Sequence, residues 1–240
     1  MSYLVSTMEC EGAEYRRRRF WDAPSPVELD EVAPSQLADS ELRLLGHAGF
    51  ALARARQQVL QILRENSSCS AWYALAEVNP QRKFASLQYQ IDAHGEDTTI
   101  ADQNSFGWYY HEPYVARAQQ NVGAGSIITV NAHGAFFLQR APLKGRWSDR
   151  GPLLQQPLRY LHVASYSGGS LNAQVTTLLH EFAHVVDLLP VDTGEANSGL
   201  RSTQNTGTVL LHCRKQIEAS ANRVIVLPLS LAQLEQAVKR

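Results

Sequence analysis

The sequence predicts an α+β fold with strands and helices segregated along the chain. Three observations carry this. An amphipathic run over about 50–66 reads as a helix, alternating and β-branched segments follow between 83 and 163, and two consecutive helical patterns come after 170. Helix, several strands, then two helices is not the strict alternation that builds a parallel α/β sheet.

Each element has its own warrant. Leu52, Val59, Leu60 and Leu63 recur at helical spacing over 50–66, while Gly46 and Gly49 weaken the approach to that helix. "ENSSCSA" reads as a turn or the start of a short helix. "KFASLQYQID" alternates and ends in "DAHGEDT", a strand followed by a turn. "FGWYYHEPYVARA" is aromatic and broken by Pro113, hence strand or loop. Ile127-Ile128-Thr129-Val130, bounded by glycines, is the clearest strand. "LKGRWSDRGPLLQQPLRY" reads as a surface loop, and "YLHVASYSGGS" as a short apolar segment with a glycine turn.

A helix is expected over 171–189, capped by Ser170 and stopped by Pro190. After the loop "VDTGEANSGLRSTQ", Asn205 is expected to cap a second helix over about 206–222, before an extended piece and a short final helix. Residues 1–38, punctuated by Pro24, Pro26 and Pro34, read as a loosely ordered arm, and 39–240 as one domain.

Composition narrows the function classes. Of 240 residues, 44% are hydrophobic and 19% charged, a globular balance able to bury a core. A net charge of −1 provides no broad field for nucleic acid, and Arg16–Arg19 reads as a solvated run. No apolar stretch reaches the ~18 residues of a membrane span. The N-terminus lacks the basic start and apolar stretch of a signal peptide, and export stays open. The cysteines, Cys10, Cys69 and Cys213, form no CxxC pair; a Cys69–Cys213 bridge and buried free thiols are both compatible with them.

The chemistry concentrates in "TTLLHEFAHVVDLLPVD", 176–192. Residues four apart share a helix face, so His180 and His184 can hold one zinc ion through one ring nitrogen each. Glu181 lies about 100° round the helix from His180, beside the ion without being forced to ligate it. It is then placed to take a proton from a water that the ion acidifies. Catalytic zinc takes three protein ligands. Asp192, just past the helix end, is the favoured third; Glu218, Glu195 and His212 stay open as alternatives. Asp187 shares the histidine stripe and is read as an outer acceptor or a helix-end carboxylate. Tyr166, His212 or Arg201 could supply an oxyanion donor, and His111 and His133 are the other histidines to locate. The strand at 127–131 could pair with an extended peptide if it lies at an edge. "SYSGG" lacks the G-x-S-x-G elbow, which sets aside a serine nucleophile.

"TLLHEFAHVV" resembles the extended signature of the zincin metallopeptidases, and the likeness in specific motif is confined to 176–192. It implies Zn2+ on His180 and His184, Glu181 as general base of peptide-bond hydrolysis, and a peptide or protein substrate. It also implies a small twisted sheet with an active-site helix and a following C-terminal helix. Asp187 and Pro190 stand where the metzincin branch would have Gly and a third ligand, which excludes that branch. The remaining chain is most similar to an uncharacterised bacterial group of zinc-peptidase domains. The alternatives are a non-catalytic metal-binding or interaction domain on the same scaffold, and hydrolysis of a non-peptide amide.

Overall fold

A computed structural model describes residues 39, 41–95, 97–101, 108–118, 125–142, 144–145, 158–192 and 198–221. All of them belong to the compact unit Ala33–Arg240. The expected arm at 1–38 and the two final segments after 222 lie outside the described residues.

The long helix α1 (Gly46–Arg64) starts earlier than its periodicity suggests. Of the two glycines read as weakness, Gly49 has a packing role: a Cβ there would sit 1.7 Å from the Leu42 carbonyl oxygen, so only glycine permits that approach. Buried Arg56 leaves this helix to pair with buried Asp39 at 2.6 Å and to donate to the Ala85 carbonyl. Both charges are thereby compensated in the interior.

"ENSSCSA" becomes the short helix α2 (Ser68–Tyr73), opened by a capping box between Ser67 and Ser70. The first half of the expected "KFASLQYQID" strand is instead helical, α3 (Pro80–Ala85). Asn79 caps it and Pro80 occupies its first turn, which are ordinary start signals that outweigh the short alternation of Phe84 and Ser86.

The strands form four small sheets among the described residues. In the first, β1 (Gln88–Asp92) runs parallel to β5 (Ile127–Asn131), and β4 (Ala116–Ala118) lies antiparallel on the other side of β5. The second contains the hairpin of β2 (Asp97–Ala101) and β3 (Trp108–Pro113), with β7 (Lys144–Gly145) beside it. The remaining pairs are β6 (Arg140–Pro142) with β8 (Leu158–Tyr160), and β9 (His162–Val163) with β10 (Tyr166–Ser167). "FGWYYHEPYVARA" is therefore strand on both sides of Pro113, and part of the expected surface loop after 142 is strand.

Two helices complete the described chain, α4 (Leu171–Val185) and α5 (Ser198–Ser220). The fold is thus mixed α+β with small sheets, the coarse class that the element order implies. The main core joins Leu52, Val59 and Ile62 of α1, Ile128 and Val130 of β5, Leu178 and Phe182 of α4, and Val209 and Ile217 of α5. A bridge between Cys69 and Cys213, with Cα atoms 4.5 Å apart, fastens α2 to α5. No helix among the described residues is long and apolar enough to cross a membrane.

Candidate metal centre

Every residue of α4 except Asn172 is buried, so this helix is enclosed on nearly all sides. Ser170 caps it as expected, its Oγ accepting from the Ala173 amide. Its buried hydroxyls are satisfied locally: Thr176 donates to the Asn172 carbonyl and Thr177 to the Ala173 carbonyl. The phenol of Tyr73 donates to the Leu179 carbonyl at 2.5 Å, one residue before His180.

The helix stops at Val185, before the expected 189. Asp187 adopts φ +58, its amide donates to the His184 carbonyl and the Leu188 amide to the Ala183 carbonyl. This is a Schellman ending with an aspartate where glycine is usual. Chain reversal, rather than Pro190, ends the helix, and it brings the following residues back across the histidine face. Asp187 therefore stands at the helix end.

His180 and His184 stand on one side of α4 with their Nε2 atoms 2.9 Å apart. Asp192 Oδ2 lies 2.9 Å from His180 Nε2, and Oδ1 lies 3.4 Å from His184 Nε2. Among the described residues, His180, His184 and Asp192 are the one trio of metal-ligating side chains with donor atoms all within 4.8 Å of one another. The ligand atoms of a tetrahedral zinc lie about 3.3 Å apart, given bonds near 2.0–2.1 Å, so these spacings fit such an ion.

The outer contacts set which atoms face inward. Thr206 Oγ1 gives its own proton to the Ser202 carbonyl at 2.8 Å and lies 3.1 Å from His180 Nδ1. It is thus placed to accept from that nitrogen, the arrangement in which a neutral His180 keeps its Nε2 lone pair for a ligand. His184 hydrogen-bonds the Leu189 backbone. Asn205 Nδ2 donates to the Pro190 carbonyl at 2.8 Å and to Asp192 Oδ1 at 2.6 Å. Two imidazole nitrogens and a carboxylate thus converge within reach of one another, a ligand set suited to a cation once the ring nitrogens give up their protons.

Burial alone would raise the Asp192 carboxyl, but hydrogen bonds from His180, His184 and Asn205 hold it well below the ordinary carboxylate range. Burial alone would lower His184, but Asp192 and Glu181 beside it keep it above its usual value. Glu181 is buried beside the cluster, and desolvation raises its carboxyl even though both histidines oppose this. The Ala118 amide of β4 donates to it.

The alternative ligands lie elsewhere. Exposed Glu218 accepts from Tyr166 at 3.2 Å and faces Arg214 at 3.8 Å. His212 stacks on Trp72 with centroids 4.9 Å apart. Glu195 falls outside the described residues. Of the expected oxyanion donors, Tyr166 and His212 are engaged as just described, and Arg201 is exposed near the start of α5. His133 is exposed and bonded to the Ala93 carbonyl; the His111 side chain is outside the description. The strand offered for peptide pairing, β5, is central, flanked by β1 and β4. In the order β1-β5-β4, the strand beside Glu181 is β4, at one end of the described sheet.

Asn205 corrects the expectation most directly. It does not cap a helix at 206, because α5 already begins at Ser198 and Asn205 lies buried inside it. No protein-family model matches the chain, and neither a curated protein nor a solved structure matches it.

Proposed function

We propose that the chain is a zinc-dependent hydrolase of zincin type that cleaves peptide bonds. The observation that carries this is the convergence of His180, His184 and Asp192, with the buried carboxyl of Glu181 beside them. His180 Nε2, His184 Nε2 and an Asp192 oxygen would hold the ion. When bound, zinc supplies a Lewis acid that makes water easier to deprotonate near neutral pH and polarises a carbonyl.

The protein's own groups do the rest. Glu181 takes the proton from the attacking water on a carboxylate oxygen, and the oxygen so freed adds to the carbonyl carbon. Glu181 then returns the proton to the leaving amine nitrogen, so no proton is gained or lost over the cycle. The Ala118 amide orients that carboxylate from β4. An extended peptide pairing with the β4 edge would run toward the base. The Cys69–Cys213 bridge favours an oxidising compartment as the place of action.

A purely structural metal domain is the second reading. Buried Glu181 argues against it, since desolvating a carboxyl beside the ligands costs stability without a structural return. Wild type and Glu181→Gln, both loaded with zinc, should be compared on a mixed peptide library. The expected result is cleavage by wild type and a fall of about 10²–10⁴-fold in the variant. Equal cleavage by both, or none by wild type, would contradict the proposal.

A further inference from the structure

Asparagine is a poor residue for the inside of a helix, and a buried amide there needs partners. Asn205 is 4% exposed inside α5, and its side-chain amide donates to the Pro190 carbonyl and to Asp192 Oδ1. Its neighbour Thr206 faces His180 Nδ1 instead. Two adjacent residues of one helix thus reach two of the three ligands, one on α4 and one on the returning loop.

We infer that Asn205 and Thr206 are a pair of positioning residues that preset the metal centre from α5. The inference rests on the zinc reading above. Asn205 donates to Asp192 Oδ1, which also lies 3.4 Å from His184 Nε2, and so holds the carboxylate in the orientation that turns Oδ2 toward His180. Its second bond, to the Pro190 carbonyl, fixes the loop that carries Asp192. Thr206, whose hydroxyl proton goes to the Ser202 carbonyl, is placed to hold a proton on His180 Nδ1 and so leave Nε2 for the ion. Neither residue supplies a donor atom to the ion. Their effect is to reduce the ordering that binding would otherwise require.

The test uses the full chain and zinc alone, with affinity measured by chelator competition. Thr206→Val keeps the shape and removes the hydroxyl, Thr206→Ser keeps the hydroxyl, and Asn205→Ala removes the amide. Thr206→Val and Asn205→Ala should each weaken zinc binding about 10- to 100-fold, while Thr206→Ser should stay within about threefold of wild type. With cobalt in place of zinc, Asn205→Ala should also alter the visible spectrum, because the orientation of the Asp192 carboxylate at the ion is no longer held.

A lost fold would weaken Thr206→Ser as well as Thr206→Val, so recovery by serine separates positioning from general damage. Tight zinc binding by wild type with equal affinity in Thr206→Val and Asn205→Ala would overturn the pair and leave the metal centre standing. Failure of wild type itself to take up zinc would overturn both.

Discussion

The phenol of Tyr73 is fully buried, and it donates a hydrogen bond to the carbonyl just before His180. Burial raises this phenol well above its ordinary 10.0. As pH rises past that ordinary value, only the unfolded chain ionises there, so stability from this group is present below it and is lost above it. Below that point Tyr73→Phe should cost about 1 kcal/mol through the lost bond. Above it, the gap between wild type and variant should narrow by up to about 1.4 kcal/mol per pH unit. Urea unfolding at a series of alkaline pH values checks this; a gap that stays constant would show that the phenol ionises as readily in the folded chain.

At the same scale, legibility in the sequence followed distance along the chain. The side of α4 shared by His180 and His184 is a local periodicity, and Asp192 lies only just past the helix end. The roles of Asn205 and Thr206 depend on how α5 packs against α4, which no local pattern records. Asparagine's preference for caps pointed the wrong way because tertiary contacts override that preference inside α5.

Among the elements, α5 combines a buried asparagine with Gly207 next to its hydroxyl-bearing Thr206. A Cβ on Gly207 would meet nothing within 4 Å. Gly207→Ala should therefore stabilise the protein by about 0.5–1 kcal/mol by lowering the entropy of the unfolded chain. Thermal melts would show it as a raised midpoint, and a lowered midpoint would mean that the helix needs a glycine there.

Glycine was also where element boundaries were misread. Gly49 looked like a helix breaker, yet its lack of a side chain lets Leu42 approach. The end of α4 was hidden for a related reason: Asp187 takes the left-handed conformation that glycine usually marks, and Pro190 lies too far on to be the stop. The segregation of helices and strands was readable, since it needs only the order of periods. The division of the strands into several small sheets was not, because pairing is set by contacts distant in sequence.

For the molecule as a whole, the link between Cys69 and Cys213 closes a loop of 144 residues that contains the sheets and α4. Reducing it should lower stability by about 2–5 kcal/mol, because the unfolded chain regains freedom. The urea midpoint should fall on adding a reductant, and an unchanged midpoint would indicate that the native packing gains nothing from the link. The same helix α5 is held by this bridge at Cys213 and touches the candidate ligands at Asn205 and Thr206.

The proposed function turns on whether His180, His184 and Asp192 hold an ion. The most direct measurement is the zinc content of the purified full chain after stripping, reloading and removal of excess metal, for wild type and for His184→Ala. The account predicts about one zinc per wild-type chain, with a raised melting temperature on loading, and little or none retained by the variant. A wild-type chain that takes up no zinc and melts at the same temperature with and without it would contradict the account.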